Sequence, residues 1–250
     1  MSTKAALLRP LQPPAYERVM TDACPPADLH QRLSADVAGH RLELLFDGGD
    51  RLIRILDLIN GAAHSVDLIM YIFEGDAAGR RILDALLLAA KRGVRVRAVL
   101  DSFGSVETPD SLFDPLREAG GSVTFFSRRW RSTYLIRNHQ KLILIDEFIA
   151  VTGGFNIADD YLSPPRSDCW FDIGMVVKGP AVIQAARWFA EIHDYTVNDD
   201  GKVLTLRRLI RDGLSTGRPY HGSSAGRRSG SPPGPAPCAP TWRTHASSTW

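Results

Sequence analysis

An α/β fold, with a mixed or mostly parallel sheet carrying helices on both faces, is what this 250-residue sequence predicts. Three observations carry the prediction. Short apolar runs bounded by polar residues, SVDLIMYIFE at 65–74, VRVRAVLD at 94–101 and SVTFFS at 122–127, have the length and β-branched content of buried strands. The segments between them place apolar residues at helical spacing, so the order is strand, helix, strand, helix, strand, the pattern of crossover connections that lay helices over a sheet. Hydrophobic residues make up 44% of the chain, enough for a sizeable core and too many for a disordered chain.

The elements follow in order. Residues 1–40 are punctuated by Pro10, Pro13, Pro14, Pro25 and Pro26, so they are expected to form a loosely packed arm with one helix near Ala27–Val37. Order is expected to begin with RLELLF at 41–46. In 50–65, Leu52, Ile55, Leu56, Ile59, Ala62 and Ala63 share one helical face. The helix expected at 77–93 ends in Lys91 and Arg92 before Gly93, as the helix dipole and C-terminal capping favour. A helix at 109–119 is stopped by Gly120-Gly121. KLILID (141–146), FIAVTGG (148–154) and WFDIGMVVKG (170–179) read as strands, and a helix begins at Pro180, where proline is tolerated in the first turn, and runs to Tyr195. Residues 198–213 are expected as a helical extension.

Beyond Leu214 there is no Leu, Ile, Val, Met, Phe, Lys, Asp or Glu, so residues 214–250 are expected to be a disordered low-complexity tail. Two readings account for it: a genuine low-complexity segment, or a shifted reading frame in GC-rich coding sequence, with the natural continuation missing. The formal charge of +2 gives no reason to expect a nucleic-acid-binding field over the whole molecule. Four arginines and no acid lie beyond Gly213, so the preceding part is slightly acidic. Cys24, Cys169 and Cys238 are widely spaced and form no Cys-x-x-Cys pair, which argues against a zinc site or a disulfide framework and suits a reducing compartment. No apolar run approaches the roughly 20 residues that cross a bilayer, and prolines break the N-terminus before an apolar signal region can develop, so no signal peptide is expected. A cytoplasmic location, or a peripheral one on the inner face of the cell membrane, is the expectation.

The chemistry concentrates in NHQKLILIDEFIAVTGGFNIADDY, residues 138–161. His139 and Lys141 are two apart and project from one face of an extended segment. An ammonium can neutralise a phosphate while an imidazole attacks phosphorus or protonates a leaving oxygen. Leu142, Ile143, Leu144 and Ile145 fill both faces of the following strand, so the pair sits at the end of a buried strand. Gly153 and Gly154 open a turn where backbone can approach a ligand, and Asn156 supplies an amide.

His-x-Lys, four residues, Asp, six residues, then Gly-Gly-Phe-Asn resembles the motif of the phospholipase D superfamily, with His139, Lys141, Asp146, Gly153, Gly154 and Asn156 at the family spacing. The Gly-Gly-x-Asn form, WFD at 170–172, GPAV at 179–182 and YIFEGDAAGRRILDALLLAAKRGVRVRAVLD upstream are most similar to the bacterial cardiolipin synthase branch; the resemblance covers residues 41–197, a phospholipase D-like catalytic unit. It implies phosphatidyl transfer or hydrolysis on anionic phospholipid at a membrane surface, through a phosphohistidine on one motif histidine. The histidine of a second motif protonates the leaving group, and neither metal nor other cofactor takes part.

The sequence departs from that pattern in one respect. His30, His40, His64, His193, His221 and His245 have no lysine two positions on, so half of the expected site is absent from the chain. The chain resembles a first unit whose second has been lost; a homodimer, as in the family's small single-motif nucleases, would complete the site. Three functions are therefore carried forward: a cardiolipin synthase-like transferase or phospholipase, a homodimeric nuclease or phosphodiesterase that would take nucleic acid, and an inactive fragment.

Asp146 and Asp172 compete to orient His139. Strand parity puts Asp146 on the face opposite His139 and Lys141, which suits structural hydrogen bonds, whereas Asp172 matches the family position that holds the imidazole. Asp168 is a fallback, more simply a solvated loop acid. Glu74 and Asp76 follow a buried strand where ligand contacts occur, though Asp76 is equally a helix N-cap. Arg128, Arg129, Trp130 and Arg131 read as a face for anionic headgroups or nucleic-acid phosphate, or as a solvated loop. Trp170, Trp188 and Phe189 are expected in the core.

Overall fold

The computed structural model describes residues 33–127, 137–164, 170–199 and 202–214. The chain forms eight strands: β1 (Ser34–Val37), β2 (His40–Leu45), β3 (Ser65–Met70), β4 (Arg95–Asp101), β5 (Ser122–Phe126), β6 (Leu142–Ile145), β7 (Ile149–Gly153) and β8 (Gly174–Lys178). They form one sheet in the order β1-β2-β8-β7-β6-β3-β4-β5. β3, β4 and β5 run parallel, joined by helical crossovers, and every other pairing is antiparallel, so the sheet is mixed.

The helices are α1 (Gly48–Asn60), α2 (Ala77–Lys91), α3 (Asp114–Glu118, after a 3-10 turn at Asp110–Phe113), α4 (Asp159–Leu162), α5 (Ala181–Asp194) and α6 (Val203–Leu214). They divide between the sheet faces by the two-residue period of the strands. Val66, Leu68 and Met70 of β3, with Ile143 and Ile145 of β6, pack under Leu52, Ile55 and Ile59 of α1 and Ile82 and Leu86 of α2. Ile69, Val99 and Leu144, on the other face, meet Val182, Ala186, Phe189 and Ile192 of α5 and Leu206 of α6. Each fully buried aliphatic side chain contributes about 1.5–3 kcal/mol, which is why these two layers decide the fold. One charged pair lies beneath α5: Asp67, 1% exposed, accepts two 2.8 Å hydrogen bonds from Arg97, whose guanidinium lies 4.9 Å from the Phe189 ring centroid.

Three expectations need correction. Ser34–Val37, expected in a helix, is an edge strand paired with β2, so the sheet begins before residue 41; the remainder of that expected helix lies outside the described residues. The strand expected at 170–179 starts only at Gly174, because Trp170 to Ile173 are a connecting segment leading into the sheet. Trp170, expected in the core, is 63% exposed and stacks on Tyr161, while Phe189 is buried and Trp188 half-buried. The tail beyond Leu214 and all three cysteines lie outside the described residues.

Candidate active site

The strand register gathers the motif at one end of the sheet. Ile69 of β3 faces Leu142 of β6, Leu142 faces Thr152 of β7, and Gly153 faces Gly174 of β8. The ends of β3 and β4, the start of β6, the end of β7 and the start of β8 therefore share one rim, and Tyr71, Asp101, His139, Lys141, Gly154 and Asp172 belong to it or to the segments beside it.

His139 and Lys141 touch. Lys141 Nζ lies 3.0 Å from His139 Nδ1 and 3.3 Å from Nε2, and it also donates to the His139 carbonyl at 3.0 Å. Tyr71, which the sequence reading did not single out, flanks both groups: its ring centroid is 4.3 Å from that of His139 and 5.2 Å from Lys141 Nζ. Lys141 is only 6% exposed, whereas His139 is exposed. Burial, then the Lys141 charge, pull the His139 imidazole below its ordinary pKa, against an opposing pull from Asp101. Burial likewise lowers the Lys141 ammonium, opposed by Asp172. An unprotonated imidazole beside a buried ammonium can take a phosphate group, the first offering a nucleophile and the second a neutralising charge.

The segment around His139 is held at several points. Asn138 N–H donates to Asp101 Oδ2 at 2.7 Å, Gln140 N–H donates to Asn138 Oδ1 at 3.2 Å, and Gln140 Oε1 accepts from Trp188 Nε1 at 2.9 Å. Thr152 Oγ1 donates to the Lys141 carbonyl at 2.8 Å.

The Gly-Gly-Phe-Asn turn continues from β7 beside the chain leaving β3. Asn156, 3% exposed, accepts from Ile72 N–H at 3.3 Å, and Ile157 N–H donates to the Ile72 carbonyl at 3.1 Å. Both glycines stand at close approaches. A Cβ on Gly153 would collide with the Ile173 carbonyl, and one on Gly154 would stand 2.5 Å from Asp172 Oδ1. Asp172 is thus packed against Gly154, with its Oδ1 accepting from Ile173 N–H at 2.7 Å. It acts electrostatically on Lys141, and among the described residues no hydrogen bond joins it to the His139 ring.

Arg51 fixes this corner, and nothing in the sequence marked it, because it sits within an ordinary amphipathic pattern. The guanidinium is 1% exposed, donates to the carbonyls of Tyr161 (2.7 Å), Leu45 and Phe46 (3.4 Å each) and Asp172, and lies 4.9 Å from the Phe155 ring centroid. A buried cation spread over four carbonyls ties α1, the end of β2, α4 and the Asp172 segment together.

Asp146 is not brought to this rim. It lies at the far end of β6, with φ of 52° in the β6–β7 turn, and its carboxylate accepts from the N–H groups of Ala63 (2.9 Å), His64 (2.7 Å) and Ser65 (2.8 Å). Those bonds anchor the turn to the start of β3. Asp76 is the N-cap of α2, accepting from Gly79 N–H at 2.9 Å, and it also accepts from Asp159 N–H. Glu74 lies within an acidic group, where burial and then Asp76, Asp160, Asp159 and Glu107 raise its pKa. Asp168 and the Arg128–Arg131 cluster lie outside the described residues.

The remaining described histidines stand at the opposite end of the sheet. His40 begins β2 and faces Val37, His64 precedes β3, and His193 on α5 meets Ser122 at the start of β5. Among the described residues, His139 is the one histidine on the site rim.

A mixed sheet layered by helices on both faces, with a His-x-Lys pair on its rim beside a Gly-Gly-Phe-Asn turn, defines a phospholipase D-like unit. The family model described as cardiolipin synthase, PLD-like domain, matches residues 55–193, more than half of the chain, and the chain belongs to that family. The major cardiolipin synthase ClsA of Bacillus subtilis (strain 168) is 39% identical over 146 residues, which cover 56% of this chain and 30% of that protein. A cardiolipin synthase of Clostridium perfringens (strain 13 / Type A) is 36% identical over 149 residues, 56% of this chain and 30% of that one. The crystal structure of a phosphatidylserine synthase from Haemophilus influenzae Rd KW20 superposes with a TM-score of 0.50 at 16% identity, covering 69% of this chain and 43% of that chain, a likeness of fold. The chain spans about 30% of the length of the curated relatives it matches.

Proposed function

We propose that this chain is one catalytic unit of a phospholipase D-type phosphatidyltransferase, acting on anionic glycerophospholipid at a membrane surface and needing a second His-x-Lys unit for turnover. The observation that carries the reading is the 3.0 Å contact between Lys141 Nζ and His139 Nδ1 on the sheet rim. His139 is the nucleophile. An imidazole nitrogen forms a bond to phosphorus, the bond from phosphorus to the leaving alcohol oxygen breaks, and that oxygen takes a proton from the imidazolium of the second unit's histidine. The acceptor alcohol, or water, gives its proton to the same second histidine, attacks phosphorus, and breaks the phosphorus–nitrogen bond. Lys141 neutralises the non-bridging phosphate oxygens, Asn156 with the Gly153-Gly154 backbone borders the substrate, and Asp172 holds Lys141 charged. Asp146 serves the turn that ends β6 and not the reacting groups.

The single histidine on the rim supports the need for a second unit, which a two-fold dimer of this chain would provide. Among the described residues no helix is long and apolar enough to cross a membrane. The test is an assay of the full chain on phosphatidylglycerol vesicles, on bis(4-nitrophenyl) phosphate and on plasmid DNA. Release or transfer of phosphatidyl groups is the expected result. Cleavage of plasmid DNA with no action on phosphatidylglycerol would contradict the lipid assignment.

A further inference from the structure

The carboxylate of Asp101 is 1% exposed at the end of β4. Its Oδ1 accepts from Phe103 N–H at 3.0 Å and Gly104 N–H at 3.1 Å, the local turn that an aspartate at a strand end commonly makes. That turn uses one oxygen. The other, Oδ2, reaches 37 residues along the chain to Asn138 N–H at 2.7 Å, one residue before His139. Three backbone donors hold this buried carboxylate, and among the described residues no arginine, lysine or histidine forms an ion pair with it. Holding a charge out of water is costly, and a neutral asparagine or serine would serve the turn. The charge therefore has a use beyond the turn.

We propose that Asp101 is a positioning residue for His139: its buried carboxylate clamps the chain immediately before the imidazole to the loop that leaves β4. The proposal deepens the reading of His139 as nucleophile and rests on it. With Asn138 fixed by Asp101 and the Lys141 carbonyl fixed by Thr152, the His139 backbone is pinned on both sides, and the ring is left against Tyr71 and Lys141. Such restraint is what holding a nucleophile near its attack geometry requires. The charge also acts on the ring. The groups that face His139 are Lys141, which lowers its pKa, the Tyr71 ring, and Asp101, which raises it; Arg137, two residues upstream, lies 4.1 Å from the centroid of Phe103, in the same clamped loop, and Asp172 acts on Lys141. When phosphorus bonds to the imidazole the ring becomes cationic, and the fixed negative charge of Asp101, which already favours the protonated ring, favours that state.

The experiment is an NMR titration of His139 in the full chain without substrate, together with the pH–rate profile on bis(4-nitrophenyl) phosphate. Asp101→Asn keeps the shape, removes the charge and replaces one accepting oxygen by an amide donor; Asp101→Ser keeps an acceptor for the turn but is too short to reach Asn138. The expected result is a downward shift of the His139 titration in both variants, a matching downward move of the acid limb of the rate profile in Asp101→Asn, and a several-fold loss of turnover in Asp101→Ser. A folded Asp101→Asn whose His139 titrates as in the unchanged chain would overturn the proposal. If neither variant folds, amide exchange in the unchanged chain decides: Asn138 N–H should be protected to the same degree as the β4 amides, and free exchange there would overturn the clamp. The titration and the exchange need no substrate, so a chain inactive on every phosphodiester would defeat the proposed function while leaving this test standing.

Discussion

Lys141 Nζ and His139 Nδ1 stand 3.0 Å apart, a distance at which the ammonium can donate only to an unprotonated imidazole. The contact fits an unprotonated ring, the state that the proposed nucleophile requires. Burial and the Lys141 charge lower the His139 pKa, so the ring gains its proton only at a pH below the ordinary imidazole value of about 6.5. The acid limb of kcat/KM is therefore expected below that value. Lys141→Ala removes the depressing charge and should move the limb up while severely reducing turnover. An acid limb that moves down in Lys141→Ala would contradict the electrostatic account.

Asp146→Asn should damage the fold more than the chemistry. Burial alone would raise this carboxyl, but the N–H groups of Ala63, Ser65 and His64 hold it below the usual aspartate range. A carboxyl whose folded pKa is depressed contributes stability that is present above the unfolded value of about 3.9 and is lost as pH falls through the folded value. The variant should lose on the order of 1–3 kcal/mol by urea denaturation at neutral pH, with the difference from the unchanged chain shrinking as the pH falls below the unfolded value. A large loss of turnover in a fully stable Asp146→Asn would place the residue in the chemistry instead.

The adjacent glycines should separate stability from function. Gly153→Ala drives a methyl into the Ile173 backbone carbonyl, which cannot move without shifting β8, so it should lower the melting temperature. Gly154→Ala meets the mobile end of Asp172, whose carboxylate can swing aside. It should leave the melting temperature nearly unchanged and reduce turnover. Equal thermal losses in the two variants would show that Asp172 is not free to yield.

Assembly should control activity. General-acid help is typically worth about 10²–10⁴-fold, and the site rim holds no second histidine among the described residues to give it. Sedimentation run beside the soluble phosphodiester assay should find activity rising with the dimer fraction, or a monomer that is nearly inactive. A strictly monomeric, fully active chain would contradict the two-unit requirement.

The sequence made β3, β4 and α2 legible because SVDLIM and VRVRAVLD are apolar runs of strand length and the helix between them has a clean apolar stripe. β1 was not legible: its four residues, SADV, are all exposed and carry no alternation, and only pairing with β2 makes them a strand. His139 and Lys141 could be found because their spacing to Asp146 and to the Gly-Gly-Phe-Asn turn resembles the phospholipase D motif, with the two-residue spacing placing both on one face. Asp146 could be set apart by the same parity, and the three backbone donors it meets at the far end of β6 give the physical reason. Arg51, Tyr71 and Asp101 were illegible as site-shaping residues. Their roles come from contacts made across 37 to 121 residues of chain or by rings brought together by register, and no local pattern encodes those distances.

The proposed function requires that His139 become covalently phosphorylated, which mass spectrometry of the peptide containing it can detect. The full chain is mixed with bis(4-nitrophenyl) phosphate and quenched rapidly at alkaline pH, where a phosphohistidine survives. The account predicts a 4-nitrophenyl phosphoryl group on His139, formed as one nitrophenol is released, lost on continued incubation as water takes its place, and absent from His139→Ala together with turnover. Turnover with His139 unmodified, or turnover that persists in His139→Ala, would contradict it.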